Sequence, residues 1–236
     1  ALVAQYDPEL LTVADDYGQL YYDTLELETP IEFVNSDTPL RIEGQKTVGV
    51  EICESFAPDV PDAIVLPVSS GGHASAVWKG LRELRDAGVV DEMPRLYLVQ
   101  AAACDPIARA YRDEADSVSE TEPGETVAFS IANGSPPSGN RALTAARETQ
   151  GAVLSVSDDE IRDARSNLAA KAGLCVEPAS ATTLAGIRKL STTNELAADD
   201  TVVAIATGTG FKELGDADVA ADTTTIDLGD LEETLL

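Results

Sequence analysis

The sequence predicts an α/β fold with a largely parallel sheet. Short apolar runs rich in β-branched residues alternate along the chain with longer stretches of helical pattern, and this alternation is typical of parallel strands joined by helices. The composition is that of a globular chain, because 44% of the 236 residues are hydrophobic and 25% are charged. No apolar run approaches the roughly 20 residues that cross a bilayer, so we expect no membrane insertion.

The hydrophobic periodicity and the turn residues mark the expected elements. Strands are expected at Ala63–Val68, Arg95–Val99, Ala152–Val156 and Thr201–Ile205. Helices are expected at Asp7–Tyr17, Arg41–Phe56, Ala74–Ala87, Ala103–Tyr111, Ser138–Thr149, Asp158–Lys171 and Ala179–Leu190. One helix start is marked by a capping box, with Ser157 as the N-cap and Glu160 at the third helical position, and Gly173 follows its end.

The chain is strongly acidic. It carries 42 Asp and Glu against 16 Lys and Arg, a formal net charge of −26, and only five of the cations are lysines. The acid is spread along the whole chain, which favours adaptation to a concentrated-salt cytoplasm, where the Debye length falls to about 3 Å and self-repulsion is screened. The alternative is an ordinary acidic protein. Nucleic acid and anionic lipid are not expected partners, because phosphate binding needs a basic face.

Cysteine and histidine usage argues against metal chemistry. Cys53, Cys104 and Cys175 lie far apart and are odd in number, so neither a metal site nor a disulfide framework is expected, and a reduced cytoplasm fits. His73 is the single histidine, which excludes a histidine-rich metal site. The chain begins at Ala1 and its one methionine is internal, so we expect that an N-terminal segment was removed or that a longer chain exists.

The first candidate site is the turn between the first expected strand and the helix that follows it. Its residues are Ser69, Ser70, Gly71, Gly72 and His73. A turn of small residues at a helix start exposes backbone N–H groups at the positive end of the helix dipole, which suits a phosphate. The alternative is an ordinary strand-to-helix turn. The pattern is neither a P-loop nor a dinucleotide fingerprint.

The second candidate site is the turn Thr207–Gly210 after the last expected strand. Ligands of open α/β sheets lie at the carboxyl ends of the strands, so both turns would lie at the same edge and could bracket a flat ligand. The alternative for Thr207 is a turn threonine that hydrogen-bonds its own backbone.

A third polar cluster precedes an expected helix. Asn35, Ser36 and Arg41 bring amide, hydroxyl and guanidinium groups together, which could hold a second phosphate or a carboxylate. The alternative is that Asn35 or Ser36 caps the helix and that Arg41 lies at the surface. Glu177 precedes Pro178 at an expected buried helix start, where it is either a functional carboxylate or a cap.

Taken in order, these motifs resemble the threonine synthase family, over residues 2 to 214. The segments that carry the resemblance are Asn35–Thr47, Leu66–Gly72, Val77–Gly80, Val99–Ala101, Val156–Ile161, Val176–Gly186 and Ala206–Lys212. That family contains pyridoxal-phosphate enzymes of fold type II, the tryptophan-synthase-β-like group. The resemblance implies a three-layer αβα fold around an open, mostly parallel sheet, incomplete at the N-terminus. It also implies a remainder of a small domain at 1–34, a large cofactor-binding domain at 35–214 and an acidic tail at 215–236.

The resemblance implies pyridoxal 5′-phosphate as cofactor and O-phosphohomoserine as substrate. Backbone N–H groups of Ser69–His73 would cradle the cofactor phosphate, although Ser70 and His73 stand where the family has asparagines. Thr207 would offer its hydroxyl to the pyridine nitrogen, a neutral partner that leaves the ring unprotonated and a weaker electron sink. The substrate phosphate, which leaves from Cγ before water adds at Cβ, would be held by Asn35, Ser36 and Arg41.

The family's Schiff-base lysine lies in a Ser-Phe-Lys-Asp segment that this sequence does not contain. Lys46, Lys79 and Lys212 match structural lysines of the family, and Lys171 and Lys189 match no catalytic motif. We therefore expect that this chain contains no catalytic lysine and is inactive alone.

Two other functions remain open at this point. One is a related fold type II activity, threonine dehydratase or a cysteate-synthase-like enzyme. The other is a non-catalytic protein that binds an anion or regulates. We expect a cytoplasmic homo-oligomer, a dimer, because an incomplete sheet leaves apolar surface open to self-association.

Overall fold

The computed structural model describes residues 6–7, 17–28, 30, 34 and 38–211, with the backbone alone for residues 17–20. Its centre is a sheet of four strands, β1 (Ala63–Pro67), β2 (Arg95–Ala101), β3 (Ala152–Val156) and β4 (Val202–Ala204). The strand order is β3-β2-β1-β4, and every neighbouring pair is parallel. The predicted α/β fold with a parallel sheet is therefore confirmed.

Helices connect the strands and cover both faces of the sheet. They are α1 (Tyr17–Leu25), α2 (Pro39–Gln45), α3 (Thr47–Phe56), α4 (Gly72–Asp86), α5 (Pro106–Arg112), α6 (Gly139–Glu148), α7 (Asp158–Ala172) and α8 (Pro178–Thr192), with a short 3₁₀ helix at Phe129–Ile131. No helix in the described ranges is both long enough and apolar enough to cross a membrane.

The predicted elements from residue 63 onward are all present. The capping box is confirmed as well, because Ser157 accepts a hydrogen bond from the Glu160 N–H and the Glu160 carboxylate accepts one from the Ser157 N–H. Gly173 ends α7 with a φ of +68°. The helix expected at Asp7–Tyr17 and the tail at 215–236 fall almost wholly outside the described residues.

The prediction of a single helix at Arg41–Phe56 is wrong, because the chain forms two helices there, α2 and α3, which meet at Lys46. The Lys46 carbonyl oxygen lies so close to α4 that a Cβ on Gly80 would be 2.6 Å from it. Lys46 itself keeps helical angles (φ −61°, ψ −24°), so the helical sequence pattern runs unbroken through the bend. Periodicity alone therefore could not locate it.

The two faces of the sheet form two separate cores. Alternate residues of a strand point to opposite faces, so Ile64 and Leu66 pack with α4 and α6 while Ala63 and Val65 pack with α7 and α8. Helices on both sides of one sheet make the three-layer arrangement expected for this class.

Candidate functional site

The first candidate turn is a tight bend between β1 and α4. Gly71 has a φ of +83°, a left-handed conformation that a residue with a Cβ adopts only under strain. No side chain of the described residues caps the start of α4. The N–H groups of Gly72, His73 and Ala74 in the first helical turn therefore remain available to an anion, at the positive end of the helix dipole.

A second loop braces this bend, which the sequence did not predict. The Ser138 N–H donates a 2.8 Å hydrogen bond to the Ser70 carbonyl oxygen. A Cβ on Gly71 would lie 2.6 Å from the Ser138 carbonyl oxygen. The glycine is thus required twice, by its φ and by the loop packed against it. Ser138 carries no motif of its own, so only the tertiary contact reveals its role.

His73 lies in the first turn of α4 and is partly buried. Burial lowers the pKa of its imidazole below the ordinary value. The ring is therefore neutral at neutral pH, and a neutral imidazole still carries one N–H that can donate to a phosphate oxygen.

The second candidate turn lies beside the first. β4 pairs with β1 in register from Ala63 and Val202 onward, and the Ile205 N–H donates to the Val65 carbonyl oxygen at 2.9 Å. Because the two strands are neighbours and parallel, the bends that follow them lie at the same edge of the sheet. The sequence predicted this shared edge, and the strand order shows that the two strands are adjacent.

The Thr207 side chain belongs to a polar cluster formed with the start of α8. Thr207 Oγ1 donates to Glu177 Oε1 at 3.1 Å and lies 3.1 Å from Ser180 Oγ. The Gly208 N–H donates to Ser180 Oγ at 3.0 Å, and the Glu177 N–H donates to the Gly208 carbonyl oxygen at 3.1 Å. Glu177 stands at the N-cap position of α8, but its side chain does not cap the helix. The interpretation of the Glu177 side chain as a helix cap is therefore wrong.

The third predicted cluster is described only at Arg41. Asn35 and Ser36 lie outside the described residues. Arg41 is exposed on α2, and its neighbour Ile42 lines a cavity of about 340 Å³ that also reaches Ser75 in the first turn of α4. The helix that carries Arg41 therefore approaches the start of α4, while the Arg41 side chain stays open to solvent.

Four charged side chains tie α2 to α4. Lys46 Nζ lies 2.6 Å from Glu43 Oε2 and 2.7 Å from Glu83 Oε2. Lys79 Nζ lies 2.6 Å from Glu43 Oε1 and also contacts Glu83. Hydrogen bonds from Lys46 and Lys79 lower the pKa of Glu43 to about 2. These four side chains are partly exposed to solvent, so salt screens much of the attraction between the lysines and the glutamates.

Other parts of the molecule offer less for chemistry. A cavity of about 800 Å³ beside β3 is lined by Arg112, Arg147 and Lys189 but by none of the predicted site residues. The cationic side chains of this cavity already have partners within the chain. Arg112 pairs with Asp105, Lys189 contacts Glu160 and Arg147 donates a hydrogen bond to a backbone carbonyl. No trio of His, Cys, Asp or Glu within the described part of the chain is placed to hold a metal ion.

The sequence pattern of one protein family, described as pyridoxal-phosphate dependent enzyme, matches residues 2–208 of this chain. The chain belongs to the pyridoxal-phosphate dependent enzyme family. The cofactor of this family is pyridoxal phosphate, so the predicted cofactor is confirmed.

Curated relatives of the chain are named threonine synthase. The protein of Methanosarcina acetivorans is 42% identical over 190 residues, which is 80% of this chain and 47% of the relative. That of Methanocaldococcus jannaschii is 39% identical over 189 residues, with the same two coverages. That of Bacillus sp. is 32% identical over 238 residues, 100% of this chain and 64% of the relative. The chain thus spans about half the length of the first two relatives.

Solved structures of pyridoxal-phosphate enzymes share the fold. O-ureido-L-serine synthase superposes with a TM-score of 0.70 at 19% identity, covering 98% of this chain and 67% of the other. A threonine deaminase from T.th. superposes with a TM-score of 0.58 at 25% identity, covering 74% and 60%. The arrangement belongs to fold type II.

The residues at the shared edge fit the cofactor. Its phosphate needs several donors and close approach of the backbone, which the uncapped helix start and the two adjacent glycines Gly71 and Gly72 provide. Its ring nitrogen needs a polar partner a short distance away, and Thr207 carries a hydroxyl in the bend that follows the neighbouring strand β4.

Proposed function

We propose that this chain carries the cofactor-binding part of a threonine synthase, an enzyme that converts O-phospho-L-homoserine and water into L-threonine and phosphate. The observation that carries the proposal is the adjacency of the two bends after β1 and β4 in a chain that is 42% identical to a threonine synthase. The cofactor supplies the electron-withdrawing ring on which the amino acid reacts.

Each predicted residue then has a binding task. Backbone N–H groups from Ser69 to His73 hold the cofactor phosphate, and Thr207 faces the ring nitrogen. Asn35, Ser36 and Arg41 hold the phosphate of the substrate, where a guanidinium group neutralises charge that a chain of net charge −26 otherwise repels.

We further propose that this chain alone does not turn over substrate, because none of its lysines is the one that would form the Schiff base with the cofactor. The contacts of three of its lysines support this proposal. Lys46 and Lys79 are bound to two glutamates, and Lys189 donates to the Ser155 carbonyl oxygen and to Glu160. Lys171 lies in the last turn of α7, and Lys212 lies outside the described residues.

Borohydride reduction tests the proposed lack of a catalytic lysine. After incubation of the chain with pyridoxal phosphate, we expect no single lysine to carry a stoichiometric reduced adduct. One fully labelled lysine, located by peptide mass spectrometry, would contradict this part of the proposal.

A chimera tests the activity. The lysine-bearing N-terminal segment of the Methanosarcina acetivorans threonine synthase is joined to this chain, and a matched chimera carries Ala at that lysine. We expect phosphate release and threonine formation from O-phospho-L-homoserine in the first chimera and neither in the second. Ammonia release from L-threonine without any phosphate release from O-phospho-L-homoserine would replace the proposal with a threonine deaminase, the rival favoured by one structural neighbour.

The domain organisation, oligomeric state and location of the enzyme belong to the same proposal. We propose a large domain at 35–214, which lies in the chain between the remainder of a small domain at 1–34 and a tail at 215–236. We also propose that the enzyme is a homodimer and works in a salt-rich cytoplasm. The partly exposed β4 supports self-association, because edge strands with accessible apolar side chains favour pairing. Sedimentation velocity at low and high salt tests the dimer.

A further inference from the structure

His73 stands in the first turn of α4 and is the single histidine of the chain. Its side chain is partly buried. Helical side chains lean toward the N-terminus of their helix, so the imidazole leans toward the bend after β1, where the N–H groups of the first turn emerge. A phosphate held by those N–H groups therefore lies within reach of the imidazole.

In the free chain this position disfavours a positive charge on the imidazole. Burial lowers the pKa of the ring below its ordinary value. The positive end of the α4 dipole also opposes an imidazolium ion at the helix start. His73 therefore carries no charge in the free chain at neutral pH.

The charged groups on the neighbouring helices do not offset the burial of His73. The helices that pack most extensively against α4 are α2, α3 and α6. Their titratable side chains are Arg41 and Glu43 on α2, Glu51, Cys53 and Glu54 on α3, and Arg141, Arg147 and Glu148 on α6. None of these described groups is among the causes of the low pKa of His73. The charged cluster of Glu43, Lys46, Lys79 and Glu83 meets α4 from Lys79 onward, about 9 Å further along the helix axis.

A bound phosphate dianion reverses this balance. A phosphate monoester carries a charge of about −1.5 to −2 at pH 7. An opposite charge within about 4–6 Å changes the proton affinity of a side chain by roughly ten- to a thousandfold, and a charge-assisted hydrogen bond is about twice as strong as a neutral one. The other donors of the bend are uncharged N–H groups and hydroxyls, so His73 is the one side chain of Ser69–His73 that can become a cation.

We propose that His73 couples phosphate binding to proton uptake, because its imidazole is neutral in the free chain and becomes an imidazolium ion that donates a hydrogen bond to the phosphate when the dianion binds. This inference rests on the proposed cofactor site and names the side chain that supplies charge there. The proton comes from solvent, and the only covalent bond formed is the second N–H of the ring. The bend therefore favours a phosphorylated ligand more strongly, as the pH falls toward about 6, than its backbone donors alone would.

Proton NMR of the imidazole tests the inference directly, because every histidine signal of the chain, prepared without a histidine tag, belongs to His73. The probe is pyridoxine 5′-phosphate, which has an alcohol where pyridoxal phosphate has its aldehyde and therefore cannot react with a lysine. The matched ligand is pyridoxine, which lacks only the phosphate. The chemical shift of the proton on Cε1 is followed against pH in the free chain and with each ligand.

We expect the probe to raise the proton affinity of His73 about tenfold or more, and pyridoxine to leave it unchanged. A His73 pKa that the bound probe leaves unchanged or lowers overturns the inference while the cofactor site stands. An equal rise with pyridoxine also overturns it. Failure of the probe to bind the wild-type chain overturns the cofactor site itself.

His73→Asn gives an independent measurement, because its amide can still donate to a phosphate but does not titrate. Calorimetric titration compares the affinity of the probe at about pH 8 and about pH 6, on either side of the ordinary imidazole pKa. The titration of the probe itself is common to both chains, so a difference between them comes from His73. We expect the affinity of the wild-type chain to rise about fivefold more than that of His73→Asn over this range. The same pH dependence in both chains overturns the inference, and the NMR measurement decides even if His73→Asn does not fold.

Discussion

The two bends at the edge of the sheet are built by different means. The bend after β1 is partly buried and made by the backbone, with Gly71 in a left-handed conformation and a loop packed against it. The bend after β4 follows an edge strand whose residues are only partly buried, and side chains from the start of α8 hold it. The first bend exposes N–H groups, while the second presents a hydroxyl whose orientation depends on Glu177 and Ser180.

This difference suits the two ends of one cofactor. A phosphate is symmetrical and takes donors from many directions, so a rigid backbone cradle is sufficient. A ring nitrogen makes a hydrogen bond in one direction only, so it needs a single partner atom that is held in position. Substitutions at the two bends should therefore change different properties, the first mainly stability and phosphate binding and the second mainly the contact with the ring.

The largest effect is expected at Gly71. In Gly71→Ala the new Cβ meets the Ser138 carbonyl oxygen at 2.6 Å, and the residue must also adopt a positive φ. We expect a loss of about 2–4 kcal/mol in the free energy of unfolding, together with loss of pyridoxal 5′-phosphate binding. Urea unfolding and calorimetric titration measure the two quantities.

Gly88→Ala is the matched control for Gly71→Ala. Gly88 also has a positive φ of +69° but nothing within 4 Å of an added Cβ. It should lose only about 1–2 kcal/mol, the effect of conformation alone, and keep ligand binding. Equal losses in the two variants would mean that the brace by Ser138 contributes nothing.

A smaller loss of stability is expected at Gly208. In Gly208→Ala the Cβ meets the Glu177 carboxyl group at 2.5 Å, and a side chain can shift where a backbone cannot. We expect about 1–2 kcal/mol in urea unfolding, with binding of the phosphate group retained. Gly44→Ala, on exposed α2 with open space around it, should instead stabilise by about 0.5–1 kcal/mol. A loss of phosphate binding in Gly208→Ala comparable with that in Gly71→Ala would contradict the separation of roles.

The pH dependence of stability isolates His73. Burial holds the pKa of the folded imidazole below its ordinary value, so the unfolded chain takes up the proton first as the pH falls. The wild-type chain should therefore lose stability relative to His73→Asn between about pH 7 and pH 5, with no difference above that range. Relative stabilisation of the wild type on acidification would show that the folded site attracts the imidazolium instead.

The smallest effect is expected at the charged cluster that joins α2 to α4. The pKa of Glu43 is lowered to about 2 from an ordinary value near 4.5, so its stabilising contribution is present above the ordinary value and is lost as the pH falls toward 2. Wild type should exceed Glu43→Gln in stability at neutral pH and low salt, and the difference should vanish at about 1 M salt. Glu51→Gln, exposed on α3, is the control. A difference for Glu43→Gln that persists at high salt would show that the cluster acts through packing.

The sequence predicted the fold well because local signals and the fold agree. The strands, the glycines of the first bend and the capping box at Ser157 each depend on residues a few positions apart. The sequence could not predict contacts between distant segments. Ser138 bonds to Ser70, and Glu177 bonds to Thr207 across 30 residues, through side chains and carbonyls that carry no local pattern. The small-residue turns after the first and last strands located the two bends from the sequence, and only the packing showed what holds each of them.

The most direct test of the shared site is a crystal structure of the chain with pyridoxal 5′-phosphate. The account predicts phosphate oxygens within about 2.7–3.2 Å of N–H groups between Ser69 and Ala74, and the ring nitrogen at the same distance from Thr207 Oγ1. A cofactor whose phosphate lies elsewhere, for example in the cavity beside β3, or whose ring makes no contact with Thr207, would contradict it.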